Sequence, residues 1–176
     1  MTKKQTKKRS EGKTVMTIKA GDKIPKANFS VMTPEGPALR STDEIFSGRR
    51  VVLIGVPGAF TPTCSSVHLP GFAINADAFK AKGVDEIAVT SVNDVFVMNA
   101  WAKATEAAGQ VRFLADGSGE FAKALGLTVD LSERGLGVRS QRYSMLVENG
   151  VVKKLNVEAT PGKADASSAE ALLEQI

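Results

Sequence analysis

The 176-residue chain contains one cysteine, one histidine, one tryptophan and one tyrosine. A single cysteine cannot form an internal disulfide, so the fold depends on a hydrophobic core, for which this length is sufficient. One cysteine and one histidine also make a dedicated zinc site unexpected. No run of 18 apolar residues occurs, and no apolar segment follows the basic N-terminus. We therefore expect a cytoplasmic protein without a membrane span or a secretory signal.

The net charge of +4 is concentrated at one end of the chain. Residues 1–15 contain six Lys or Arg and one Glu, a net of +5, which leaves the remaining residues at −1. This segment has little apolar content and no amphipathic pattern, so we predict a disordered basic tail at 1–15 and one folded domain at 16–176. The nearly neutral domain gives no reason to expect a nucleic-acid partner, and the tail does not resemble a transit peptide.

Apolar patterning predicts strands that alternate with helices along the domain. The unbroken, β-branched run at 51–56 predicts a strand buried on both faces, and residues 86–92 and 111–115 predict two more. Helices are expected from about 61 to 82, with an interruption around 69–71, after a cap at Asp94, and at 118–125.

Turn and cap signals complete this outline. Residues 33–36 predict the turn of a hairpin, and Asn149-Gly150 between strands at 143–147 and 151–157 predicts a type I′ hairpin. Ser167 and Glu170 have capping-box spacing for a final helix. The order of elements predicts an α/β sandwich with a central mixed sheet flanked by helices, which a thioredoxin-like arrangement satisfies, as other α/β layouts would.

The buried strand is followed by the segment PGAFTPTC, residues 57–64. Open α/β sheets place their sites at this end of their strands. If Thr61 is the N-cap, Pro62 takes the first helical position and Cys64 lies in the first turn, where the Thr61 hydroxyl would accept from the Cys64 N–H. The helix dipole favours a negative sulfur there, so the pattern indicates a reactive cysteine rather than a structural one.

His68 lies four residues after Cys64 and shares its helix face. It is a candidate for shaping a pocket or bonding near a substrate, with a packing or surface role as the alternative. A disulfide oxidoreductase is disfavoured because Thr61 stands where a Cys-x-x-Cys pair would begin. A binding or chaperone module with an incidental cysteine remains a competing interpretation.

Three separated blocks carry a resemblance to a known family. Residues 57–72, PGAFTPTCSSVHLPGF, resemble the active-site segment of the peroxiredoxins, most closely the branch of animal peroxiredoxin five and the plant type II enzymes. SVNDVFV at 91–97 and RYSM at 142–145 are similar to two further blocks of that branch. The resemblance extends from about Met16 to the C-terminus. It implies a thioredoxin fold and a thiol peroxidase that reduces hydrogen peroxide and alkyl hydroperoxides without a metal or organic cofactor.

The resemblance also implies roles for individual residues. Cys64 is the peroxidatic cysteine, which a peroxide oxidises to a sulfenic acid. The Thr61 hydroxyl and Arg142 bond the thiolate and the peroxide, and Arg142 is preferred over Arg134 and Arg139 because of its RYSM context.

Three further residues complete the predicted site. Pro57 is implied to shield the sulfur and shape the pocket. His68 and Phe60 are expected to line the substrate pocket.

The chain lacks the second cysteine with which several relatives capture the sulfenic acid. The corresponding regions contain Val89 and, near Ala166-Ser167, no cysteine. The resemblance therefore implies an external thiol as reductant, with glutathione and glutaredoxin favoured and thioredoxin second. It also implies a homodimer.

Overall fold

The computed structural model describes residues 16–176, so the predicted tail at 1–15 lies outside the described residues. The strands are β1 Asn28–Thr33, β2 Gly36–Ser41, β3 Arg50–Gly55, β4 Glu86–Ser91, β5 Arg112–Ala115, β6 Thr128–Asp130, β7 Val138–Ser140, β8 Tyr143–Glu148 and β9 Val151–Val157. The α-helices are α1 Thr42–Phe46, α2 Leu69–Ile74, α3 Ala76–Ala81, α4 Val95–Thr105, α5 Glu120–Leu125 and α6 Ala169–Gln175. Across the described residues, no helix is both long and apolar enough to cross a bilayer.

Seven strands form one mixed sheet in the order β2-β1-β5-β4-β3-β8-β9. The pairs β3–β4 and β4–β5 are parallel, and the others are antiparallel. One core cluster packs α2, α3, α4 and α6 against one face of the sheet, and a second packs α1 and α5 against the other. The predicted sandwich with a mixed central sheet is confirmed.

Strand β3 lies in the middle of the sheet and shows why its sequence is continuously apolar. Val52 and Ile54 contribute to one core cluster, whereas Val51 and Leu53 contribute to the other, and none of the four is exposed. Gly55 ends the strand opposite Tyr143, and a Cβ at this position would overlap the Tyr143 ring. A glycine there allows the ring to pack against the backbone of β3.

Several local signals act as predicted. The Asp94 carboxylate caps α4 by accepting from the Val97 N–H at 2.9 Å. Asn149 and Gly150 both have positive φ, as the tight turn between β8 and β9 requires.

Two helix ends differ from the prediction. The interruption expected around 69–71 is wrong in position: α2 runs through Pro70 to Ile74, and the helical segment is interrupted at Asn75, before α3 begins at Ala76. Pro70 is tolerated because it stands in the first turn of α2, where its missing N–H removes little. The cap of α6 is Ser168, whose hydroxyl accepts from the Ala171 N–H at 3.1 Å. Ser167, the expected cap, instead bonds to Glu158.

Candidate active site

The loop after β3 carries the first part of the site. Pro57 is buried, whereas Phe60 has φ 62° and is 55% exposed. A positive φ is strained for a bulky residue and has to be held by its surroundings. The Ala59 N–H donates to Asn93 Oδ1 at 2.9 Å, which ties this loop to the one that follows β4.

Cys64 lies in a widened helical turn. The helix begins at Pro62, and Cys64–His68 form a π-helical turn in which the Leu69 N–H donates to the Cys64 carbonyl. Such single π turns occur frequently at functional sites. The Cys64 side chain has no exposed surface. Its sulfur is therefore held at a fixed place beneath the surface.

Arg142, immediately before β8, is the arginine that reaches this sulfur. Its Nη2 lies 3.1 Å from Cys64 Sγ and 3.0 Å from the Pro161 carbonyl oxygen, and its Nε donates to the same carbonyl at 3.1 Å. Its Nη1 donates to His68 Nδ1 at 3.0 Å. Arg139 instead donates to the carbonyl of Leu136 at 2.7 Å. The guanidinium of Arg142 is thus fixed on three sides and directed at the sulfur.

The charge of Arg142 has an unusual environment. The side chain is 2% exposed, and no carboxylate in the described part of the chain forms an ion pair with it. A buried charge without a counter-ion is costly. Of its partners, the Pro161 carbonyl and the His68 ring are neutral acceptors, and the Cys64 sulfur can become an anion. The positive charge of Arg142 is therefore placed directly against the sulfur, whose reactive form is the thiolate.

His68 acts on the arginine rather than on the cleft. Its Nδ1 must accept, because Arg142 can only donate, and its Nε2–H therefore donates to the Ser167 carbonyl at 2.9 Å. Burial lowers the pKa of His68 to about 4, the Ser167 bond opposes this shift, and the Arg142 charge adds to it. The ring is neutral at physiological pH, as its bond to Arg142 requires.

Thr61 makes a different bond from the one predicted. Its hydroxyl donates to the Gly58 carbonyl at 2.7 Å, and the expected bond from the Cys64 N–H to this hydroxyl is not formed. The Ser65 N–H donates to the Thr61 carbonyl at 3.0 Å, so Thr61 accepts a hydrogen bond of the first turn through its backbone and not through its side chain. The hydroxyl oxygen keeps lone pairs that can accept from a bound molecule.

A cleft of about 320 Å³ opens beside the guanidinium. The residues that line the cleft are apolar or uncharged, apart from two arginines: Pro57, Thr61, Pro62, Thr63, Leu131, Arg134, Leu136, Arg142, Pro161 and Gly162. Three of the four residues predicted as catalytic, Pro57, Thr61 and Arg142, line this cleft, whereas Cys64 does not line it and has its sulfur 3.1 Å from Arg142 Nη2. His68 and Phe60, expected to line the pocket, do not line this cleft.

Sequence reasoning missed two features of the site. The Pro161 and Ser167 carbonyls hold Arg142 and His68, but a backbone carbonyl leaves no signal in a sequence. The buried Trp101 indole N–H donates to Ser65 Oγ at 3.0 Å and so anchors the turn next to Cys64. A single tryptophan at helical spacing predicts burial but not its partner.

Comparison with known proteins agrees with this site. The profile of the family described as Redoxin matches residues 19–173. Peroxiredoxin-2C of Oryza sativa is 47% identical over 160 residues, which span 90% of this chain and 98% of that protein. The structure of reduced Prx3 from Vibrio vulnificus in complex with hydrogen peroxide is 50% identical, with a TM-score of 0.86 over 90% of this chain and 99% of that one.

A more distant structure is also similar. The antioxidant protein of Plasmodium falciparum, described as a 1-Cys peroxiredoxin, is 28% identical, with a TM-score of 0.83 over 90% of this chain and 98% of that one. The chain belongs to the redoxin family and, within it, to the peroxiredoxins of the type II, peroxiredoxin-five-like branch, as a member with one cysteine. It is a thiol peroxidase with a thioredoxin-like fold, which confirms both predictions.

Proposed function

We propose that the Cys64 thiolate reduces hydrogen peroxide and alkyl hydroperoxides by attacking the O–O bond. The sulfur bonds to one oxygen and becomes a sulfenic acid, while the other oxygen leaves and takes up a proton as water or an alcohol. The observation that carries this proposal is the 3.1 Å contact between Arg142 Nη2 and Cys64 Sγ, at a buried guanidinium that lacks a carboxylate partner among the described residues.

The neighbouring residues have separate roles in this proposal. Arg142 stabilises the thiolate and then the negative charge that develops on the departing oxygen. Thr61 accepts a hydrogen bond from the peroxide through its free lone pairs. Pro57 shields the sulfur and forms part of the cleft wall. The apolar lining, including Leu131 and Leu136, is compatible with the alkyl group of an organic hydroperoxide.

The sulfenic acid is recycled by an external thiol, because the chain has no second cysteine. Glutathione with glutaredoxin is the favoured reductant, and thioredoxin is the second choice. The burial of the sulfur supports a small thiol as the first attacking group, since a cleft of about 320 Å³ admits a tripeptide more readily than a protein surface.

The enzyme acts as a homodimer in this proposal. Phe60 and Phe96 are 55% and 65% exposed, and the Ala59–Asn93 bond ties the loop of Phe60 to the segment that leads into α4, where Phe96 lies in the first turn. Exposed aromatic rings on neighbouring segments are typical of an interface. We propose that a second copy of the chain packs against the exposed rings of Phe60 and Phe96.

A single-turnover experiment tests the peroxidase chemistry. Pre-reduced protein is mixed with one equivalent of hydrogen peroxide or tert-butyl hydroperoxide without reductant, and peroxide loss is followed by stopped flow beside Cys64→Ser. We expect rapid loss of about one peroxide per chain in the wild type only, with a sulfenic acid trapped and identified by intact mass. A wild-type reaction no faster than that of a free thiol would contradict the proposal and favour a binding module.

A further inference from the structure

The segment 158–167, which we call the strap, leaves β9 and crosses the active site before α6 begins. Three of its carbonyl oxygens accept hydrogen bonds from active-site side chains. The Pro161 carbonyl accepts from Arg142, the Gly162 carbonyl accepts from Thr63 Oγ1 at 3.2 Å, and the Ser167 carbonyl accepts from His68. The strap therefore forms one wall of the site with its backbone.

One carboxylate closes the strap. Glu158 Oε1 accepts from the Ser167 N–H at 2.7 Å and from Ser167 Oγ at 2.9 Å, which joins the first and last residues of the strap. Compact loops with adjoining ends are commonly held by such internal contacts. Ser167 is fully buried, so losing this acceptor would leave a buried N–H and a buried hydroxyl unpaired.

These bonds form a closed ring that includes the catalytic arginine. The Glu158 N–H donates to the Arg142 carbonyl at 2.9 Å, because the two residues stand opposite each other beyond the β8–β9 pair. From Glu158 the ring continues through Ser167 to His68, and from His68 to the Arg142 guanidinium. The backbone and the side chain of Arg142 are thus both fixed by Glu158, one directly and one through two other residues.

We propose that Glu158 is a positioning residue for the reaction at Cys64. Its carboxylate holds Ser167, Ser167 holds the neutral ring of His68, and His68 directs the Arg142 guanidinium at the sulfur. Glu158 forms no hydrogen bond with Cys64, whose sulfur is bonded to Arg142, so its effect on the sulfur passes through the ring. This inference rests on the proposed roles of Cys64 and Arg142.

Both hydrogen bonds from Ser167 end on the same Glu158 oxygen, so two substitutions of Glu158 can separate the loss of the acceptor from the loss of the charge. Glu158→Ala removes the acceptor, whereas Glu158→Gln keeps an oxygen in the Oε1 position and removes the charge. Glu170→Ala is the matched control, because Glu170 is an exposed residue of α6 whose side chain contacts Asn75 at 3.4 Å, outside the ring.

Two measurements are made on each full-length variant. The first is the single-turnover rate with hydrogen peroxide, and the second is the pH profile of Cys64 alkylation by iodoacetamide, which requires no peroxidase activity. We expect Glu158→Ala to react about tenfold more slowly with peroxide, since a small misplacement of a catalytic group has effects of this order or larger. We expect its alkylation midpoint to move to higher pH, while Glu158→Gln and Glu170→Ala stay close to the wild type.

A folded Glu158→Ala protein with the wild-type rate and the wild-type alkylation profile would overturn the proposal. If circular dichroism shows that this variant has lost its fold, Ser167→Ala takes its place, because it removes only the hydroxyl bond. Its expected loss is smaller than that of Glu158→Ala, about threefold, because the Ser167→Ala protein keeps the backbone N–H that donates to Glu158, and an unchanged rate and profile would overturn the proposal equally. A slow wild-type reaction with peroxide would contradict the proposed function instead, and the alkylation profiles would still decide the role of Glu158.

Discussion

The two ends of the central sheet place their arginines in opposite environments. At the end where β3, β4 and β5 begin, Arg49 and Arg112 share the Glu86 carboxylate at 3.0 and 3.3 Å, and Arg50 pairs with Glu148. These side chains are between about a quarter and a third exposed. At the other end, Arg142 is buried among neutral acceptors and the Cys64 sulfur.

In the proposed mechanism, this difference separates charges that form surface ion pairs from a charge that acts on the reacting sulfur. A partly exposed ion pair contributes little to stability, because water already solvates its members well. A buried guanidinium without a carboxylate is costly, and a nearby carboxylate would lower the cost by neutralising it. Among the described residues Arg142 has no such carboxylate partner, and in the proposed mechanism its positive charge therefore remains available to the sulfur and to the departing oxygen.

The largest effect is expected from Arg142→Ala. Removing a preorganised donor to a developing anion typically lowers a rate by about 10²–10³-fold, and we expect a loss of that order in single-turnover peroxide reduction. Arg112→Ala, at the opposite end of the sheet, is the matched control and should keep the wild-type rate. Stopped-flow measurement of both variants tests the comparison, and equal losses would show that the location of the charge does not matter.

Arg142 also illustrates how much of the site the sequence predicts. Its RYSM context selects it from three nearby arginines, and the position of Cys64 after a buried strand predicts the helix-terminal location that the structure shows. The mixed sheet follows from the apolar run at 51–56 and the Asn149-Gly150 turn, because such signals are local and strong. The prediction of Arg142 rests on the resemblance to the peroxiredoxins, whereas the predictions of the sheet and of the turn rest on residues with strong local conformational preferences.

The features that were not predicted depend on the backbone or on distant packing. β6 and β7 have three residues each, too few to give a pattern, although the segment that contains them supplies Leu131 and Leu136 to the cleft. In the π turn at Cys64–His68 the Leu69 N–H donates to the carbonyl five residues earlier instead of four. No residue type encodes this change of acceptor. The spacing of Ser167 to Glu170 fits a capping box and so predicts a helix cap, but the acceptor that Ser167 meets is the carboxylate of Glu158, nine residues earlier.

The second prediction concerns acid and the buried His68. The pKa of His68 is about 4 in the folded protein, whereas an unburied histidine has a pKa of 6.5. Below pH 6.5 the unfolded chain therefore binds a proton that the folded protein does not bind. The contribution of neutral His68 to the free energy of unfolding is fully present above pH 6.5 and is lost as the pH falls towards 4. With 1.36 kcal/mol for each pKa unit, the free energy of unfolding should fall by about 3 kcal/mol through His68 over this range.

Urea unfolding of the wild type and His68→Gln between pH 4 and 7 measures this contribution. Carboxylates shared by both proteins cancel in the difference, so the gap between the two curves should change by about 3 kcal/mol across the window. Parallel curves would mean that His68 is not held neutral. The groups facing the ring are Arg142, the Ser167 carbonyl and the Phe72 ring, and none of them is a carboxylate that would stabilise the protonated form.

The smallest effect is expected at the other end of the sheet, from Glu86→Gln. This variant loses the ion pairs with Arg49 and Arg112, and because all three side chains are partly exposed, we expect the free energy of unfolding to fall by about 1 kcal/mol. The loss should shrink at high salt, which screens such pairs. The single-turnover rate should not change, since neither arginine reaches the cleft. A slower peroxide reaction in Glu86→Gln would show that the charges at the two ends are coupled through β3 and β4, and the separation between a stabilising end and a reactive end would have to be abandoned.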